Sequence, residues 1–263
     1  MNINERIFRI LIGISLSVLV QATAHAGVIA QGTAIADWTS FSITGPLSVL
    51  QTDPYTYTSL DSSLVNELGA DFDTASSQDW SSPIGISSIV DNDSSSASAD
   101  QNEVRASDTV STATATAASP FNVAGSVSNA GRFGKYLVTA DGTVTLEIDY
   151  ILTAKGVTQF IGEEAWLNVI IAMEFYIDGI GPAPVAYDSA SISTLLVDGA
   201  TGDFQQSGTL SLSYYLLTGT TGFFHVTTTA NDIAQATYIP EPVTLVLITI
   251  GLAGMGFRQK RLR

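Results

Sequence analysis

The sequence predicts an all-β fold, an antiparallel β-sandwich of jelly-roll-like winding, and three observations carry that expectation. Charged residues are 13% of the 263, about half the roughly 25% of an ordinary soluble chain, so long helices would lack the charged outer faces they need. Gly, Ser and Thr fill the gap and favour short strands and turns, while 45% apolar residues suffice for a sizeable core. Stretches of apolar/polar alternation, punctuated by Asp-Gly pairs, recur through the second half of the chain.

Taken in order, the first 26 residues read as a secretory signal peptide. Arg6 and Arg9 form its positive end, and Ile10 to Val20 is apolar apart from Gly13, Ser15 and Ser17. Ala24 and Ala26 supply the small residues that signal peptidase requires, with cleavage expected after Ala26. The β-sandwich region then runs from 27 to 239. Trp38, Phe41, Ile43, Leu47 and Leu50 read as one or two strands around Gly45-Pro46. Leu60 to Leu68 reads as a short helix with Asp61 or Ser62 as its N-cap.

From 92 to 119 the chain is low in complexity, dominated by Ser, Ala, Thr and Asp. Thr112 to Ala117 alternates cleanly and fits either a close-packed strand or a flexible linker; Val104 and Val110 favour the strand. Tyr136 to Ala140, Asp141-Gly142 and Thr143 to Tyr150 read as a β-hairpin with a type I′ turn. Val144, Leu146, Ile148 and Tyr150 then face one side. Glu163-Glu164 suits a helix start, but the β-branched residues that follow favour a strand whose inward row is Leu167, Val169, Ile171, Met173, Phe175 and Ile177. The same alternation returns at Ile192–Leu196, Leu210–Leu216 and Phe224–Thr228.

The C-terminal segment, 240–263, has three parts. Pro240-Glu241-Pro242 precedes an apolar run from 243 to 257, about 23 Å long as a helix at ~1.5 Å per residue, and Arg258, Lys260, Arg261 and Arg263 close the chain. The basic cluster acts as a stop signal that stays in the cytoplasm, which places the domain outside. Gly251, Ala253, Gly254 and Gly256 give the helix a close-packing face. This tripartite tail resembles the PEP-CTERM sorting signal of exported proteins in Gram-negative, exopolysaccharide-producing bacteria, also catalogued as an ice-binding protein C-terminal domain. The resemblance implies exosortase as a partner that cuts near Pro-Glu-Pro. It also implies transient anchoring in the inner membrane, then a cell-surface or extracellular location and a role with exopolysaccharide or biofilm.

Charge is uneven along the chain. The formal net charge is −15, but six of the ten basic residues lie at the two ends, leaving Arg105, Arg132, Lys135 and Lys155 against 23 acidic residues between them. Such a surface repels nucleic acid and anionic lipid.

Catalytic groups are scarce. His225 is the one histidine after the signal segment, there is no cysteine, and no Gly-x-Ser-x-Gly elbow presents a serine. Zinc lacks its usual ligands. Glu147 with Asp149, and Glu174 with Asp178, have carboxylate spacings a glycosidase would need, although alternate exposed positions in so acidic a chain hold such pairs by chance. Asp91, Asp93 and Ser95 resemble the start of a calcium loop, but Ser96 replaces the sixth-position glycine and Asn102 the terminal glutamate. No cofactor is expected.

The leading expectation is therefore a non-enzymatic envelope or matrix protein. The alternatives are a carbohydrate-binding module, with Tyr136, Tyr150, Trp166, Tyr176, Tyr214 and Tyr215 as candidate stacking rings, and a carboxylate-dependent glycoside hydrolase.

Overall fold

The computed structural model describes residues 27–50, 55–64, 69–90, 93–112, 115 and 121–238, and all regular structure among them is β. The signal-peptidase residues Ala24 and Ala26, the sorting motif Pro240-Glu241-Pro242, the 243–257 span and the basic tail lie outside the described residues.

Thirteen strands are described: β1 (Val28–Thr44), β2 (Leu47–Val49), β3 (Tyr55–Leu64), β4 (Gly69–Ser77), β5 (Ile84–Val90), β6 (Asp93–Ala99), β7 (Glu103–Thr112), β8 (Phe121–Val138), β9 (Gly142–Val157), β10 (Glu163–Ile177), β11 (Ala186–Val197), β12 (Thr201–Leu216) and β13 (Thr221–Thr237). They pair antiparallel in two sheets. One runs β12-β9-β1-β7-β6-β5; the other runs β11-β10-β13-β8-β3-β4, with β2 also paired to β8. The sheets stack face to face, with β9 over β10, β1 and β7 over β13 and β8, and β5 and β6 over β3 and β4.

The alternation expected in the second half is present: Val144, Leu146, Ile148 and Tyr150 point inward, as do Leu167, Val169, Ile171, Met173 and Phe175. Trp38 to Leu50 forms the end of β1 and all of β2, broken at Gly45, whose φ of 104° is open to glycine and strained for other residues. The low-complexity segment contributes β6 and β7, so the segment is strand over 93–99 and 103–112; of the Thr112 to Ala117 alternation, 113, 114, 116 and 117 lie outside the described residues.

Two expectations are corrected. The expected helix from Leu60 is instead the end of β3, through Leu64; its ladder to β4 on one side and β8 on the other satisfies the backbone groups that a helix would have used internally. Residues 65–68 lie outside the described set. The expected hairpin at Asp141-Gly142 is a crossover: β8 belongs to one sheet and β9 to the other. Asp141 accepts the N–H of Thr218 at 2.7 Å, ties down the β12–β13 loop, and has its carboxyl pKa lowered by that bond. The Asp-Gly pair with both φ angles positive is Asp198-Gly199, at 52° and 85°, where the chain crosses from β11 to β12.

The interior divides in two. Around β9, β10, β12 and the start of β13 it is filled by Leu, Ile, Val, Met and Phe. Around β5, β6, β7, β3 and the first half of β8 the inward residues are mostly Ala, Ser and Thr. Between them, Arg132 is fully buried. Its guanidinium lies 4.5 Å from the Trp38 ring centroid and donates to the carbonyls of Trp80 and Asp100, and burial lowers its pKa to about 10.

Candidate functional site

The outer face of the β11-β10-β13-β8-β3 sheet collects rings and apolar side chains at both ends. Register determines which residues meet there. Trp166 on β10 stands between Leu195 on β11 and Ile233 on β13, and Gly125 follows on β8. These three side chains are 48%, 41% and 37% exposed, an apolar row on an open face. The polar side chains of Glu164, Asn168, Ser193 and Gln235 are near neighbours in the ladders, and the Trp166 Nε1–H donates to Glu164 Oε2 at 3.3 Å. An indole with amides and a carboxylate beside it offers both a stacking surface and hydroxyl partners.

Ten residues along β10, ~33 Å at strand rise, lies the second cluster. Tyr176 stacks on Phe223 with centroids 4.3 Å apart and planes at 15°, and Phe223 meets Phe133 at 4.9 Å. His225 packs against Tyr57, centroids 5.7 Å apart, and its Nδ1 is 3.5 Å from Glu174 Oε2. Tyr57 covers Gly131, where an added Cβ would lie 2.6 Å from the ring. Tyr176 donates its O–H to Glu174 at 2.8 Å; burial first, then that partnership, raises its pKa to about 12. Burial lowers the pKa of His225 although Glu174 pulls it upward, so the imidazole is neutral at pH 7.

Of the six candidate rings, Tyr136 and Tyr150 turn inward. Tyr136 stacks on Phe175 and donates to the Tyr176 carbonyl at 2.6 Å, and Tyr150 accepts from Gln206. Tyr214 and Tyr215 are exposed on β12 of the opposite sheet. Only Trp166 and Tyr176 share the proposed face. Phe133 and Phe223, which complete the second cluster, lie in Gly-rich and Thr-rich strands; their signal is an outward position in register with Tyr176, invisible without the pairing.

The carboxylate pairs separate by environment. Glu147 and Asp149 lie side by side on the open outer face of the other sheet, where Ser211 donates to Glu147 and Thr209 to Asp149. Glu174 faces outward with His225 and Tyr176, whereas Asp178 lies past the end of β10 in a turn, its N–H bonded to Thr221. The calcium-like run is likewise divided. Asp91 lies outside the described residues, Asp93 opens β6, and Ser95 is buried and points between the sheets. No group of three or more His, Cys, Asp or Glu is gathered for a metal among the described residues.

The fold and these faces define an all-β sandwich with one aromatic-ended outer sheet. No protein-family model matches the chain, and no curated protein is similar to it in sequence.

Proposed function

We propose that this chain is an exported, non-enzymatic cell-envelope or extracellular-matrix protein that holds a polysaccharide along the outer face of its β11-β10-β13-β8-β3 sheet. The observation that carries the reading is the exposed Trp166 row, with a second aromatic cluster ~33 Å along β10 on the same outer face. Two ring sites this far apart on an open face suit an extended polymer better than a single sugar, because rings of a glycan stack on flat apolar side chains while the amides beside Trp166 take its hydroxyls. The strongly acidic domain repels polyanions, so the polymer is neutral or reaches the surface with bound cations.

The export half of the reading rests on the termini. Signal peptidase cuts after Ala26, the 243–257 segment holds the protein in the inner membrane, and exosortase acts near Pro240-Glu241-Pro242. The mature, jelly-roll-like sandwich then reaches the cell surface or the extracellular polymer. Intact mass from cells with and without exosortase tests this half: the expected species starts near Gly27 and ends near Pro240 only when exosortase is present, and a form retaining Arg263 in both strains contradicts it.

The binding half is tested with the secreted protein on an array of neutral and acidic polysaccharides. Neutral polymers should be retained, and Trp166→Ala should weaken them at least tenfold with an unchanged melting temperature. Equal retention by the variant would remove this face from the account.

A further inference from the structure

Two aspartates are sealed between the sheets. Asp108 on β7 and Asp232 on β13 are at most 1% exposed. A Cβ placed on Gly32 of β1 would lie 2.6 Å from Asp232 Oδ2, 2.9 Å from Val169 Cγ2 and 3.2 Å from Asp108 Oδ1, so both carboxylates pack into the space that a side chain would fill, and only glycine admits them there. Register brings further hydroxyls alongside the pair: Gly32 and Ser95 flank Asp108 on its two sides, and Ser126 lies directly opposite Asp232. Ser95 and Ser126 are at least 97% buried, and neither Oγ has a hydrogen-bond partner. The two carboxyls lie within hydrogen-bonding reach of each other, which needs a proton between them; apart from that, both oxygens of Asp108 and Oδ2 of Asp232 are equally without one, and Asp232 Oδ1 takes the Asn168 N–H at 3.1 Å.

No positive side chain answers these charges. Among the described residues, the other buried charged groups are Arg132 on β8 and Glu163 on β10, and each is engaged elsewhere: Arg132 with the Trp80 and Asp100 carbonyls, Glu163 with the N–H groups of Gln159 and Phe160. Arg105 and Lys155 face outward, beside Glu103 and Asp203. Two buried carboxylates with one amide donor are expensive in a dry interior. A single shared proton leaves one negative charge there and adds no ligand for the serine hydroxyls. A divalent cation cancels both charges and takes the hydroxyls as ligands. The five free oxygens carry no nitrogen or sulfur among them, which favours a hard ion over zinc, and calcium tolerates an irregular oxygen shell where magnesium demands an octahedral one.

We infer that Asp108, Asp232, Ser95 and Ser126 form an interior calcium site that joins the two sheets, with Gly32 allowing the two carboxylates to converge. Burial raises both carboxyls, Asp232 to about 6 and Asp108 well above the usual range, so binding near neutral pH displaces a proton from the pair.

The test is thermal unfolding and calorimetry of the full secreted protein, stripped with EDTA and titrated with CaCl₂ or MgCl₂. Calcium should raise the melting temperature by several degrees, saturably and with proton release, and magnesium should do so far less. The isosteric double variant Asp108→Asn/Asp232→Asn should lose the shift while melting no lower than the wild type in EDTA. If that variant does not fold, Ser95→Ala/Ser126→Ala should fold and bind calcium at least tenfold more weakly. Two results overturn the inference: a calcium shift that survives in these variants, which moves the ion elsewhere, or no calcium shift in the wild type, which leaves the pair holding a proton only.

Discussion

The two halves of the interior are built on different physics. Around β9, β10, β12 and the start of β13, Leu146, Ile148, Leu167, Ile171, Met173, Phe175 and Phe224 are all at most 1% exposed, and burial of large apolar side chains holds the sheets together at about 1.5–3 kcal/mol each. Around β5, β6, β7 and β3, Ala97, Ala99, Ala106, Thr58, Ser95 and Ser128 occupy the same inward positions. Alanine and serine remove little apolar surface from water, and several of these hydroxyls lack partners. Hydrophobic burial therefore explains one half of the sandwich and leaves the other in need of something else. The Asp108–Asp232 pair, between the halves, is placed to supply it.

The largest effect expected is from Phe224→Ala. Phe224 packs against Phe41 and Trp80 across the sandwich, and truncation should cost about 3–5 kcal/mol by urea unfolding. Ala97→Gly, at an equally buried position in the small-residue half, should cost only about 0.5–1 kcal/mol; similar losses at both sites would erase the contrast. Gly32→Ala should cost about 1–3 kcal/mol, since its new methyl meets two carboxylates and Val169.

Two pH trends of opposite sign sharpen the comparison further. In EDTA the folded protein keeps a proton on the aspartate pair that the unfolded chain, with carboxyl pKa near 3.8, has lost. Stability should then fall as pH rises above about 4 and continue to fall until both carboxyls of the pair have ionised, and calcium should flatten the slope. His225 works the other way. Its folded pKa is lowered, so the unfolded chain takes up the proton first and stability declines as pH drops below about 6.5, an effect His225→Phe should remove. The smallest effect on stability is expected from Trp166→Ala, which should leave the unfolding free energy from urea denaturation within about 0.5 kcal/mol of wild type because the ring lies on an open face.

Strand identity in the large-residue half was legible because Val144 to Tyr150 and Leu167 to Phe175 alternate in hydrophobicity. Which strand pairs with which was not, since alternation assigns a face and says nothing of partners; hence Asp141-Gly142 read as a hairpin where the chain changes sheets. The small-residue half was harder. Val28 to Ala36 alternates between small inward residues and outward ones, a pattern with little hydrophobic contrast, and Leu60 to Leu64 carries helix-start residues that two long-range ladders override. In sequence Ser95 groups with Asp91 and Asp93, as part of a local loop. Its carboxylate neighbour is instead Asp108, thirteen residues on and one strand across.

Native-state hydrogen exchange, strand by strand and with or without calcium, tests the division most directly. The account predicts slow exchange in β9 and β10 under both conditions, and protection of β6 and β7 that rises when calcium is added. Equal protection in both halves, unchanged by calcium, would contradict it.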